Sequence, residues 1–225
     1  LHDALPIWLS IPLALHGTVV KKDGETVDIR IGENDDDPVF TVSDLLPHLA
    51  GKQQGSKKVS EAFEGEKLNL LCGSMPLGND TIKERFKLGV LKLLYDTYGI
   101  VETDFVSAEL EAVPAFKAKD IGFDRSMIGA YGQDDRICAF SELEAITSIN
   151  GVDRAAVALF FDKEEIGSEG VTGAKSGFIE DFLSDLLFMN NEPTDSRTLR
   201  KCLMNSRCLS ADVNGAMDPD YKEVH

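Results

Sequence analysis

The chain has 225 residues, of which 43% are hydrophobic, so it can bury a core, and intrinsic disorder is excluded for most of it. Its 39 acidic residues outnumber its 23 basic ones, which gives a formal net charge of −16 at pH 7. Because no basic patch offsets this charge, we expect neither nucleic acid nor an anionic membrane surface as a partner.

The two ends of the chain look non-native. Residues 1–7, Leu-His-Asp-Ala-Leu-Pro-Ile, match the in-frame translation of a widely used sequencing-adapter oligonucleotide. We therefore interpret them as artefactual and do not count His2 and Asp3 as ligands. Since the chain also lacks an initiator methionine and stops just after a motif-rich segment, we expect it to be an internal fragment of a longer protein.

Residues 8–110 carry β-strand signals followed by one long helix. Two alternating runs, at 17–20 and 27–31, flank the turn sequence Lys22-Asp23-Gly24, and an Asp-Gly turn between such runs predicts a hairpin. Asp80 is predicted to cap an amphipathic helix over 81–98 that Gly99 ends. Weaker signals predict a solvated acidic turn at 34–38, a short helix or turn at 43–48, a polar loop at 51–66, and strands at 68–72 and 101–110.

From residue 113 the pattern changes to alternating strands and helices. The seven apolar residues at 155–161 predict a strand that is buried on both faces, as in parallel sheets. Helices are predicted at 136–149 and 175–189, and a further strand at 208–213. This alternation predicts an α/β fold with a mostly parallel sheet and flanking helices. We place a domain boundary near residue 110.

Three acidic positions fall at the ends of predicted strands or the start of a helix. Asp134-Asp135 precedes a helix, Glu164-Glu165 follows the central strand, and Asp212 follows the last strand. A parallel sheet brings such junctions to one edge, where α/β proteins bind ligands. Neighbouring carboxylates repel one another, so their convergence favours a metal ion, with one glutamate as ligand and the other as proton-transfer base. Carboxylates suit zinc, cobalt or manganese.

Each acidic position also has a structural interpretation. Asp134 or Asp135 fits a helix N-cap, Asp212 fits a turn before Gly215, and a Glu-Glu pair is common on solvated surfaces. Histidine is what the set lacks, because no histidine of the chain belongs to a ligand-spaced motif; those left after His2 is discounted are His16, His48 and His225. We therefore expect a complete site to need imidazoles from outside this sequence.

The four cysteines are expected to be reduced. Cys72, Cys138, Cys202 and Cys208 show no CxxC spacing, and three of them lie in apolar surroundings. This pattern predicts core thiols of a cytoplasmic protein rather than a disulfide framework or a zinc knuckle. No apolar stretch reaches the length of a membrane-spanning helix, so we expect no membrane partner.

Four segments, in this order and spacing, resemble the aspartyl aminopeptidase family of di-metal exopeptidases. They are Ile-Pro-Leu-Ala-Leu-His at 11–16, Gln-Asp-Asp at 133–135, Asp-Lys-Glu-Glu-Ile-Gly-Ser at 162–168 and Ser-Ala-Asp at 210–212. The resemblance runs from about residue 11 to 225. It implies a metallo-aminopeptidase-like α/β catalytic domain with an inserted β-rich α+β dimerisation domain, assembled into a homo-oligomeric dodecamer. Residues 8–110 would form the inserted domain, and 111–225 the central, incomplete part of the catalytic domain.

The resemblance also implies roles for individual residues. Asp134 would bridge two divalent metals, expected to be zinc with cobalt or manganese as alternatives, and Glu165 and Asp212 would each bind one. Glu164 would be the general base for a water shared by the metals. His16 matches a family histidine that approaches the neighbouring subunit's active site, although a packed hairpin histidine is the alternative. The implied activity is removal of N-terminal residues from peptides.

The chain departs from the family pattern in several places. The family's first and last ligand histidines are absent, and we expect them beyond the ends of the chain. Many members have histidines where this chain has Gly215 and Asp218, and Asp-Asn where it has Asp134-Asp135. These changes spare the carboxylate ligands but leave the preferred N-terminal residue open. The alternatives are a di-metal deacylase, a non-catalytic assembly subunit and a plain structural domain, and we expect the fragment alone to be inactive.

Overall fold

The computed structural model describes residues 9–45, 47–51 and 54–224, and the predictions for residues 1–7 and for His225 lie outside this part. The chain divides into two compact units, of which the first ends at Tyr131 and the second begins at Gly132. The boundary near residue 110 falls inside a strand of the first unit, at 109–114. The assignment of dimerisation and catalytic domains stays a prediction.

The first unit is built around a three-stranded antiparallel sheet in the order β2-β1-β3. Its strands are β1 (Leu13–Val20), β2 (Thr26–Ile31) and β3 (Glu109–Pro114). β1 and β2 form the predicted hairpin, whose turn is closed by the Lys21 N–H donating to the Glu25 carbonyl at 2.8 Å. Gly24 has φ +88°, a conformation that glycine adopts without steric cost, which is why the Asp-Gly signal succeeds.

The core of the first unit lies where this sheet meets the end of a helix. Val19, Ile29 and Ile100 are at most 3% exposed, and Leu15, Tyr98 and other apolar residues pack against them. Full burial of one such side chain contributes about 1.5–3 kcal/mol. Helix α3 (Arg85–Tyr98) ends at Gly99, φ +67°, as predicted. Ile100, which follows the end of this helix, therefore packs against Val19 and Ile29 of the hairpin.

Two predictions around this helix are wrong. The helix begins at Arg85 rather than 81, because Glu84 has a left-handed backbone and Asp80 pairs with the Arg85 side chain instead of capping. The predicted strand at 101–110 is a 3-10 helix (Glu102–Ser107) followed by β3. Asp104 accounts for this 3-10 helix. Its side chain is 5% exposed and accepts hydrogen bonds from the Val101 and Lys22 N–H groups at 2.9 and 3.3 Å.

The remaining elements of the first unit are short. They are α1 (Pro47–Ala50), α2 (Val59–Ala62), a 3-10 helix (Gly65–Lys67), and the antiparallel pair β4 (Lys119–Ile121) and β5 (Met127–Gly129). The predicted strand at 68–72 reduces to one bridge between Leu70 and Val42. In the acidic turn, N–H groups of Asn34 and Gly32 donate to Asp37 and lower the pKa of its carboxyl.

The second unit is helical in its regular part. It contains α4 (Gln133–Ser148), α5 (Phe178–Met189), α6 (Ser196–Met204) and 3-10 helices at Glu164–Ile166 and Lys222–Val224. The predicted strands at 155–161 and 208–213 are not strands, and every strand pairing in the described chain is antiparallel. The mostly parallel sheet is therefore not found here, because an apolar run becomes a strand only beside backbone groups that pair with it.

Membrane and cysteine predictions are also addressed by the structure. None of the described helices combines the length and apolar character needed to cross a membrane. All four cysteines are free, as predicted, but Cys72 and Cys208 are exposed, so the expectation of core thiols is wrong for these two.

We predict that Gly17→Ala destabilises the first unit. Gly17 has φ +142°, and a Cβ atom there would lie 1.9 Å from the Glu109 carbonyl oxygen of β3. The strained backbone alone costs roughly 1–3 kcal/mol, so the free energy of unfolding measured in urea should fall by at least that amount. Gly24→Ala is the control, since its φ is also positive but no atom lies within 4 Å of the added Cβ. Equal losses in the two variants would contradict the clash with β3.

Candidate metal centre

The start of α4 places two aspartates outside regular helix geometry. Gly132, φ +74°, occupies the N-cap position and no side chain caps the helix. Asp134 (ψ 109°) and Asp135 (ψ 34°) have non-helical backbones, and the peptide bond between them is cis. Regular helix begins at Arg136, whose N–H donates to the Gly132 carbonyl at 3.3 Å. Asp134 is therefore not the residue directly before the regular helix, whereas Asp135 is.

Asp134, Asp135 and Asp212 form a cluster of three carboxylates, which we call the acidic cluster. One ligand oxygen of each lies within 4.8 Å of those of the other two. Asp212 comes from the segment after α6, which has no regular secondary structure, and its carboxylate also accepts the Val213 N–H at 2.7 Å. The structure thus brings together two predicted ligands that are distant in sequence. It adds Asp135, which the sequence did not single out as a ligand.

The acidic cluster is suited to a cation. Asp134 and Asp212 are exposed and Asp135 is partly buried, so three carboxylates of differing exposure converge. The Oδ1 atom of Asp135 is inaccessible to solvent and has no hydrogen-bond partner in the described chain. A buried acceptor without a partner costs about 1–3 kcal/mol. A divalent ion with oxygen ligands relieves both the repulsion and this cost.

Cys138 lies one helical turn beyond Asp135, close to the negative charges of the acidic cluster. A hydrogen bond to the Asp135 carboxylate, then burial, then the negative charges of Asp135, Asp212 and Glu142 raise the pKa of its thiol to about 11. The sequence prediction of an ordinary core thiol missed this neighbourhood. The signal was available, since residues three apart on a helix share a face and Cys138 follows Asp135 at that spacing.

Glu164 and Glu165 lie on a separate, exposed loop of the second unit. They begin a 3-10 helix whose neighbours Lys163 and Gly167 both have positive φ. The loop is closed at its base, where the Asp162 N–H donates to the Thr172 carbonyl at 3.2 Å and the Thr172 hydroxyl to the Asp162 carboxylate at 3.3 Å. The acidic cluster among the described residues does not include either glutamate.

His16 lies on β1 of the first unit. Its Nε2 atom is 3.1 Å from Oε1 of Glu33, but the two are not aligned as a hydrogen bond. The side chain is one-third exposed. Its approach to a neighbouring subunit's active site stays a prediction, and the side chain of His48 lies outside the described part.

We predict that Cys138 reacts slowly with iodoacetamide and that Asp135 is the reason. With a pKa near 11 instead of the ordinary 9, the reactive thiolate at pH 8.5 is roughly a hundredfold rarer. Alkylation should keep accelerating as the pH rises towards 11. Asp135→Asn should lower the pKa and speed the reaction, as measured by mass spectrometry with the exposed Cys208 as reference. A rate that is unchanged by Asp135→Asn would contradict the contact.

Comparison with known proteins places this chain in a family. The profile described as aminopeptidase I zinc metalloprotease (M18) matches residues 3–225. The probable M18 family aminopeptidase 1 of Clostridium acetobutylicum is 49% identical over 217 residues, covering 96% of this chain and 46% of that protein. The probable M18 family aminopeptidase 1 of Thermotoga maritima is also 49% identical, over 97% of this chain and 47% of its own length. The chain thus spans about half the length of these curated relatives.

Solved structures agree with the sequence comparison. The crystal structure of the M18 family aminopeptidase from Thermotoga maritima matches with a TM-score of 0.80 and 50% identity, over 97% of this chain and 47% of that one. The Saccharomyces cerevisiae mApe1 dodecamer, 23% identical with a TM-score of 0.56, shares the fold over 96% of this chain and 47% of its own. The family resemblance predicted from the sequence is confirmed: the chain belongs to the M18 family of aminopeptidase I zinc metalloproteases.

Proposed function

We propose that this chain is the metal-binding part of an aminopeptidase that removes N-terminal residues from peptides. Membership of a zinc metalloprotease family supports this activity. The observation that carries the proposal is the acidic cluster, in which the buried Oδ1 atom of Asp135 has no partner. The convergence of Asp134 and Asp212, which the sequence predicted as ligands, supports the proposal.

We assign the chain's carboxylates as follows. Asp134, Asp212 and Glu165 would hold two divalent ions, taken to be zinc. Such ions lower the pKa of a bound water and polarise the scissile carbonyl. Asp135 accepts the Cys138 thiol hydrogen bond and keeps a free oxygen beside Asp134.

Glu164 is proposed as the general base. Its carboxylate would take a proton from the attacking water and return it to the leaving amine. The exposed Glu164-Glu165 loop is held at its base by the Asp162–Thr172 pair, which leaves the two glutamates accessible to a substrate. Glu164 and Glu165 lie in the same 3-10 helix, so one loop carries both carboxylates, and this supports the role.

The quaternary and cellular context belongs to the proposal as well. We propose a cytoplasmic homo-oligomer in which His16 faces a neighbouring subunit. The side chain of His16 is one-third exposed, which supports a surface role. The yeast mApe1 was solved as a dodecamer, and for this chain a dodecamer remains the proposed assembly.

We predict that Asp134→Asn weakens metal binding. Loss of one carboxylate charge from the acidic cluster should raise the Kd for Zn²⁺ at least about tenfold, as measured by isothermal titration calorimetry of the chain. Asp153→Asn is the matched control, because Asp153 is an exposed aspartate of the same unit outside the acidic cluster. An unchanged Zn²⁺ affinity for Asp134→Asn would remove this residue from the ligand set.

We predict that Glu164→Gln abolishes most turnover while metal binding persists. The assay uses a chimera in which this chain replaces the matched part of the Thermotoga maritima aminopeptidase. Loss of the base should lower kcat by about 10²–10⁴-fold, with metal content by mass spectrometry unchanged. Glu192→Gln, another exposed glutamate of the second unit, is the control. Near-normal kcat in the Glu164 variant would refute the assignment as base.

A further inference from the structure

The loop that carries Glu164 and Glu165 is closed on itself, and we call residues 162–176 the glutamate loop. Its base is held by two hydrogen bonds between the same two residues. The Asp162 N–H donates to the Thr172 carbonyl at 3.2 Å, and the Thr172 hydroxyl donates to the Asp162 carboxylate at 3.3 Å. A surface loop of this size whose ends meet and which packs on itself is an Ω-loop, a form that is frequently functional.

A second set of contacts inside the glutamate loop centres on Ser168. Its N–H donates to the Lys163 carbonyl at 2.8 Å, and its carbonyl accepts the Lys175 N–H at 3.3 Å. Lys163 and Ser168 lie on either side of the two glutamates, and both have left-handed backbones, with φ of +62° and +61°. Residues other than glycine keep this conformation only where the surrounding contacts enforce it.

Gly173 is the residue against which Ser168 packs. It is the one buried residue among the described residues of the second unit. A Cβ atom there would lie 2.2 Å from the Ser168 carbonyl oxygen and 2.8 Å from that of Glu169, far inside the van der Waals separation of about 3.5 Å. Since Gly173 does not have a left-handed backbone, this close approach is what requires glycine.

We propose that Gly173 and Thr172 are positioning residues for Glu164 and the carboxylate that follows it. Gly173 fixes Ser168, whose N–H holds the carbonyl of Lys163, directly before Glu164. Thr172 holds the base of the glutamate loop one residue earlier. The inference rests on the proposed function, in which the two glutamates are the general base and a metal ligand.

A comparison of distances supports this role. A Cβ at Gly173 would force the Ser168 carbonyl to move by about 1 Å or more before it reached van der Waals contact. Catalytic groups have to be held within about 0.5 Å of their productive geometry, so the displacement exceeds the tolerance. Both glutamates are exposed, so their placement depends on the backbone of the glutamate loop. The contacts named here all lie within that loop and involve no other part of the polypeptide.

Amide hydrogen exchange on the free chain, followed by NMR, tests the contact at Gly173. Gly173→Ala should speed exchange of the Ser168 and Lys175 N–H groups at least about tenfold and leave the amides of α5 unchanged. Gly151→Ala is the matched control. Alanine is strained there at φ +68°, but no atom lies within 4 Å of the added Cβ, so the variant reports general destabilisation of the second unit.

A pair of variants at Thr172 tests the base of the loop separately. Thr172→Val removes only the hydroxyl bond to the Asp162 carboxylate and should speed exchange of the Asp162 N–H at least about tenfold. Thr172→Ser keeps a hydroxyl and should exchange like the parent chain. This pair decides the proposal if Gly173→Ala does not fold.

Kinetics of the Thermotoga chimera at saturating Zn²⁺ test the consequence for catalysis. Gly173→Ala should lower kcat by about 10²-fold, as expected for a misplacement of about 1 Å. Thr172→Val should lower kcat as well, and Thr172→Ser should restore it. In a Glu164→Gln background, Gly173→Ala should cost little more, because residues that act as a unit are not additive.

Three outcomes would overturn the positioning role. They are unchanged exchange at Ser168 in Gly173→Ala, a Thr172→Ser variant as impaired as Thr172→Val, and a loss of kcat from Gly173→Ala that is equally large without the Glu164 carboxylate. Near-normal kcat in Glu164→Gln alone would overturn the proposed function and the positioning role with it. That failure is distinguishable, because the exchange of the loop amides would still respond as expected.

Discussion

The repulsion among three carboxylates is the constraint on which the site depends. One carboxylate oxygen of each of Asp134, Asp135 and Asp212 lies within 4.8 Å of those of the other two. Asp212 is nevertheless distant in sequence from the Asp134-Asp135 pair. Like charges at this separation destabilise each other unless a counter-charge lies between them. The chain brings them together through the non-helical start of α4 and the irregular segment after α6. This geometry suits the cation proposed for the acidic cluster, which would also give the unpartnered Oδ1 atom of Asp135 a partner.

The sequence predicted well wherever a local rule decides the structure. The Asp23-Gly24 turn and the Gly99 helix end both require positive φ, which glycine supplies. The meeting of Asp134 with Asp212 was also predicted, because both stand at junctions that an α/β fold brings to one edge. Glu164 and Glu165 were predicted to join them there, but they lie outside the acidic cluster of the described chain. The convergence of Asp134 and Asp212 survives even though no parallel sheet is found in the described chain.

The sequence predicted poorly wherever a distant contact decides the structure. Val101 to Leu110 alternates like a strand, yet Asp104 turns the chain by accepting the N–H of Lys22, far away in sequence. The run at 155–161 has the pattern of a strand, but within the described residues no backbone group pairs with it. The raised pKa of Cys138 depends on Asp212 as well as on its helix neighbour. The contacts of Asp104 with Lys22 and of Cys138 with Asp212 leave no mark in a local window of sequence, whereas the spacing of Asp135 and Cys138 does.

The excess of acidic residues has a consequence for how the molecule behaves in solution. With a net charge of −16, copies of the chain repel one another, and this repulsion opposes the attraction between their exposed phenylalanines and leucines. Salt shortens the range of the repulsion to about 10 Å at 0.1 M and about 3 Å at 1 M, while the apolar attraction is not weakened. Whether copies of the chain stay apart in solution thus depends on the balance between charge repulsion and apolar attraction. Low ionic strength favours separate copies, because it extends the range of the repulsion.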